Sequence, residues 1–124
     1  MSLNTQAWNP GRAGAAGRED TDGFGGLWSV TVYGVCATMN SFFDSKVITV
    51  QTPSDNTARK FLTIDCPAGM HVTGTAAFTS PDTLIEVVAP KTTPPKTTQI
   101  QVIAQNNGGV TDQWHVTGYA LCAR

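Results

Sequence analysis

Two histidines, His71 and His115, and three cysteines, Cys36, Cys66 and Cys122, are the side chains of this chain best suited to holding a metal or attacking a substrate. A zinc site draws such ligands from closely spaced pairs, of the Cys-x-x-Cys or His-x-x-x-His kind, because they must converge on one ion. The two histidines stand 44 positions apart and no such pair occurs, so neither a metal nor a cofactor is expected. A serine nucleophile on a strained elbow would show Gly-x-Ser-x-Gly, and a phosphate cradle would show Gly-x-x-x-x-Gly-Lys. Both patterns are absent. The carboxylates of Asp44, Asp55 and Asp82 fall in stretches rich in turn formers, where they are solvated or cap turns. No catalytic residue is therefore assigned, and the chain reads as a non-enzyme. His115 follows Trp114, points away from its face in an alternating strand, and is expected at a surface or interface.

The elements that must position these residues are strands. Eighteen Thr and eleven Val stand against five Leu and two Glu among 124 residues, so β-branched residues are plentiful and helix formers scarce. With 40% apolar residues the chain can build one core, and eight basic against nine acidic side chains give a net charge of -1. Such a balance offers no field for nucleic acid or an anionic membrane. No run approaches the roughly 18 apolar residues of a membrane-crossing helix. Residues 1–26 lack the apolar stretch of a secretory signal, so no export signal is expected.

Residues 1–26 hold half of the twelve glycines and no period-2 apolar pattern, and they read as an arm preceding a β domain at 27–124. The triplet-like spacing of Gly11, Gly14 and Gly17 is too short and too poor in proline for a collagen helix, and reads as chance. A Gly-rich arm loses much chain entropy on ordering, so a neighbouring subunit is the expected partner that holds it. From Leu27 onward about seven strands are predicted, at 27–37, 46–51, 60–65, 70–78, 83–88, 98–105 and 112–122, with breaks at clusters such as Pro67-Ala68-Gly69 and Asn106-Asn107-Gly108-Gly109. The fold class is all-β, an antiparallel sandwich or barrel with an extended N-terminal arm. The Asn106–Gly109 loop predicts a hairpin between 98–105 and 112–122. The proline-rich stretch Pro90–Thr98 reads as an extended loop or an edge.

One strand is written twice. Trp28-Ser29-Val30-Thr31-Val32-Tyr33-Gly34-Val35-Cys36-Ala37 returns as Trp114-His115-Val116-Thr117-Gly118-Tyr119-Ala120-Leu121-Cys122-Ala123, identical at six of ten positions. Alternation puts Trp28, Val30, Val32, Gly34 and Cys36 on one inward face, and Trp114, Val116, Gly118, Ala120 and Cys122 on the other copy's. The opposite faces still carry Tyr33, Val35, Tyr119 and Leu121, so these strands are either covered on both sides or part of a subunit interface. Leu62, Ile64 and Cys66 also alternate inward. Strand phase allows Cys66 to pair with Cys122 or with Cys36. The first pairing is favoured because its block is the more complete, and three reduced thiols are the alternative in a cytosol.

The Trp-x-Val-x-x-Tyr-x-Val-Cys-Ala strand, with the intervening Cys66-Pro67-Ala68-Gly69-Met70-His71-Val72-Thr73-Gly74, resembles β-rich modules of bacterial, especially actinobacterial, extracellular proteins. The resemblance spans about residues 28–123 and implies a fold more than a chemistry. Those modules usually follow a signal peptide and carry more glycine than Thr73-Gly74-Thr75-Ala76 after the turn. The short arm, the small size and the expected lack of an export signal give the chain a layout similar to a phage decoration protein, located in the virion. The neutral body, six basic and six acidic side chains after residue 26, suits close packing.

The expected partners are further copies of the chain, a major capsid protein, or both. Leu3, Trp8, Phe24 and Leu27 are the anchors expected in the arm, and Tyr33, Tyr119 and His115 the residues expected at an interface. The alternative is a secreted, lectin-like module that binds cell-surface glycans through aromatic and amide side chains.

Overall fold

The β-branched alternation does what its period demands. In Ser45–Gln51 (β3), Arg59–Asp65 (β4), His71–Thr79 (β5), Thr83–Lys91 (β6), Gln99–Asn106 (β7) and Val116–Ala123 (β8), alternate side chains turn toward one core. Two further strands precede these: Ser2–Asn9 is β1 and Arg12–Arg18 is β2. The computed structural model describes residues 2–9, 12–19, 23–34, 44–80, 83–91, 97–106 and 112–124, and for 2–9 and 12 the backbone alone. Among the described residues all regular structure is β.

The strands form a five-stranded sheet in the order β2-β1-β5-β8-β3 and a three-stranded sheet in the order β4-β7-β6, every pairing antiparallel. Their inner faces meet as a sandwich. Leu62 and Ile64 of β4 and Ile100, Val102 and Ala104 of β7 face Val116, Ala120 and Cys122 of β8, all of them buried. Each large side chain removed from water here contributes about 1.5–3 kcal/mol before the entropy of ordering is subtracted. Gly118 sets how closely the sheets approach: a Cβ there would lie 2.7 Å from Leu62 Cδ2 and 3.0 Å from Ile64 Cδ1. Between β4 and β5 the chain changes sheet through Pro67-Ala68-Gly69, where Met70 N donates to Pro67 O at 3.0 Å and Gly69 takes a φ of 77°. That positive φ at the third turn position is a type II geometry, which a side chain would strain.

Two expectations are corrected. Strands β7 and β8 are not a hairpin: β7 lies between β4 and β6, whereas β8 lies between β3 and β5. Both strands carry a fully apolar face, and burying the two against each other needs opposite sheets. The stretch from Asn106 to Val116 is longer than the two to five residues of a hairpin loop and can make that crossing. Second, residues 27–34 form no strand, although 27–37 was expected to be one; residues 35–37 lie outside the described part.

In the arm, β1 and β2 pair with each other, and β1 joins the larger sheet where Thr5 pairs with Ala77 of β5. The small residues of β2, Ala13 to Gly17, let other chain lie against it. β6, meanwhile, ends on Pro90 and Lys91 as an outer strand of its sheet, a position where proline sacrifices no ladder donor.

Candidate functional site

Two regions stand out, one at each copy of the repeated strand. After β2, residues 23–34 form no regular structure and every one of them is exposed, including Phe24, Leu27, Val30 and Val32. Trp28 is 38% exposed and Tyr33 87%. Among the described residues the segment is held on one side. Trp28 Nε1 donates to Glu19 Oε1 at 2.6 Å. Trp28 and Val30 also lie over the bare α-carbon of Gly17, where a Cβ would come within 3.0 Å of Trp28 and 2.7 Å of Val30. Gly34 passes Ala13 at the other end of β2. The result is an uncharged apolar surface, larger than scattered surface hydrophobes explain.

At the second copy the tryptophan is enclosed. Trp114 is fully buried, its Nε1 donates to Thr57 O at 2.9 Å, and its backbone pairs with Asp55 as an isolated bridge. The Lys60 ammonium sits 5.0 Å from the Trp114 ring centroid, donates to Pro53 O at 2.9 Å and pairs with Asp55 Oδ1 at 2.5 Å. Lys60 is 5% exposed, and a charge so enclosed requires these partners. The hydrogen bond from Lys60, then that from the Thr57 backbone, holds the Asp55 carboxyl at a pKa of about 2, below its ordinary 3.8. Beside this cluster Ser54 Oγ lies 3.2 Å from His115 Nδ1. Among the described residues no carboxylate bonds the other ring nitrogen of His115, so the pair lacks the orienting third group of a nucleophilic triad. The cluster ties the 52–57 loop to β4 and β8.

The sequence-derived candidates fall as follows. Cys66 and Cys122 are joined as a disulfide that links the end of β4 to β8, and so staples one sheet to the other. Cys36 lies outside the described residues. Phe24, Leu27 and Tyr33 are together in the exposed segment, whereas Leu3 and Trp8 are placed by their backbones in β1 and their side chains are not described.

Tyr119 is half-buried on the outer face of β8, opposite Thr49 and Ala76. β5 and β1 separate it from β2, over which Tyr33's segment passes, so the two tyrosines are not one surface. His115 is half-buried and bonded to Ser54. The expected inward face Trp28-Val30-Val32 is exposed, which corrects that reading. His71 has a buried Nδ1 with no hydrogen-bond partner among the described residues. No three metal-binding side chains gather among the described residues.

Two contributors were not singled out from the sequence. Lys60 shares its parity with Leu62 and Ile64, and that was the available signal for an inward lysine. Gly17 reads as accidental spacing, although its place in a strand of small residues is what admits Trp28. No family model matches the chain, and neither does any curated protein or solved structure.

Proposed function

We propose that the chain is a non-enzymatic assembly protein, a virion decoration or cement subunit that docks through its N-terminal residues. The observation that carries this reading is the uncharged apolar segment Phe24–Tyr33, exposed along its length and displayed on the N-terminal hairpin. Apolar surface of this kind gains most from a partner that covers it, and the neutral β body opposes no close neighbour. The core and the disulfide lie within residues 44–124, so the binding part and the folded scaffold are separable.

The test is co-sedimentation with capsid shells assembled from a capsid protein encoded beside this chain. Full-length protein is expected in the pellet, and protein lacking residues 1–34, still folded by circular dichroism, in the supernatant. Undiminished pelleting of the shortened chain would overturn docking by the arm. A lectin-like reading has one observation in its favour: Trp28 and Tyr33 present aromatic faces on which a sugar ring can stack. Saturable binding on a glycan array that survives removal of residues 1–26 would establish it instead.

A further inference from the structure

The molecule displays a strand-patterned segment that joins no sheet and, among the described residues, a sheet edge with no further strand. Residues 28–34 repeat the residue pattern of Trp114–Ala120, whose counterpart β8 is bonded to β3 on one side and β5 on the other. Like β8 they carry apolar side chains on both faces, yet among the described residues they bond to no strand. They cannot take the place of β8. Val32 aligns with Gly118, and a Cβ at that position meets Leu62 at 2.7 Å, a contact that requires the core to move. Exchange into the β8 slot, in the same chain or in another, would have to repack those side chains, whereas addition at an open edge requires no such shift.

Among the described residues four strands, β2, β3, β4 and β6, lie at sheet edges, and these edges differ. β2 has Arg at both ends and is rich in glycine. β4 carries Arg59, Lys60 and Asp65. β6 carries Glu86, Pro90 and a bulge between Ile85 and Val87. Charge, proline and bulges are what protect an edge from a further strand. β3, Ser-Lys-Val-Ile-Thr-Val-Gln, has one charge, no proline and seven consecutive regular pairs with β8, so its outer side is the least protected. The segment 28–34 has no charge to oppose Lys46. Three strands, β1, β5 and β8, separate β3 from the β2 strand that holds this segment, which directs the pairing to another molecule.

We propose that the partner of the 28–34 segment is a second copy of this chain, onto whose β3 outer edge it adds as a sixth strand of the sheet. Reciprocal donation closes a two-fold dimer. The proposal rests on the assembly reading and supplies its first partner.

Sedimentation velocity of the full chain across a concentration series tests it, together with Val32→Pro, which removes a ladder donor from a segment that the isolated fold does not pair. Hydrogen exchange locates the contact. The expected result is a dimer in which amides of 28–34 and 45–51 gain protection together on association. Val32→Pro should weaken that dimer at least about tenfold, the effect of one or two lost ladder bonds, with an unchanged unfolding transition. A chain that stays monomeric throughout, a dimer indifferent to Val32→Pro, or protection confined to other strands would overturn it. A monomer that still pellets with capsid shells removes strand donation and leaves the assembly reading standing. A dimer that pellets with none does the reverse.

Discussion

Trp28 and Trp114 begin the same ten-residue pattern, and one is 38% exposed while the other is fully buried. The second copy has a partner strand on each side, a lysine over its indole and a glycine where the facing sheet comes closest. The first has one hydrogen bond to Glu19 and the bare backbone of Gly17 beneath it. The shared local pattern becomes a strand in one copy and no regular structure in the other, and partners decide which of them becomes core. A segment with that pattern and no partner presents apolar surface, which is the physical basis of the proposed docking role.

The contrast can be broken at each level, beginning with the tryptophans. Trp114→Ala should cost about 3–5 kcal/mol through lost burial and an unfilled cavity, and Trp28→Ala less than about 1 kcal/mol. Urea unfolding of both variants checks this, and equal losses would dissolve the distinction. Cys122→Ser removes a crosslink between residues 56 apart in sequence, and loop-closure entropy puts its cost at about 4 kcal/mol. The midpoint of the same titration reads it, compared with wild-type protein treated with reductant.

The aligned pair Val32 and Gly118 gives a smaller effect of the same kind. Gly118→Ala should cost about 1–3 kcal/mol because the new methyl meets Leu62, Ile64 and Val102, whereas Val32→Gly in an exposed segment should lie within about 0.5 kcal/mol of wild type. Thermal unfolding of the two should differ in the same order.

The smallest effect is a dependence on acid that belongs to the enclosed copy. Asp55 is held at a pKa of about 2 against an ordinary 3.8, so the unfolded chain binds its proton first as pH falls. The stability this carboxylate contributes is complete above pH 4 and disappears as pH drops toward 2. It is modest, because the carboxylate is 45% exposed and solvent screens it. Asp55→Ala should flatten the pH dependence of the midpoint in that interval. It should also cost more than Asp55→Ala combined with Lys60→Met, since the single change leaves the Lys60 ammonium enclosed without its partner.

Much of the scaffold is legible from alternation alone. The inward faces of β4 and β8, from Leu62 to Cys66 and from Trp114 to Cys122, follow from period 2, as do four further strand positions to within a few residues. The Pro67-Ala68-Gly69 turn follows from residue type. What misleads is a local cue standing for a distant relation. Asn106–Gly109 has hairpin chemistry, yet the strands on either side belong to opposite sheets because their apolar faces must meet. The glycines of β2 have no local meaning at all until Trp28 lies on them.

By composition and spacing, then, the chain determines that it is made of strands, which side chains on most of them turn inward, and that two of its segments share one pattern. Tertiary structure alone decides which of these two is buried. That choice turns on Gly118 leaving room for Leu62, and on β3 and β5 lying ready on either side. These contacts join residues tens of positions apart, and a pattern read over ten residues does not contain them.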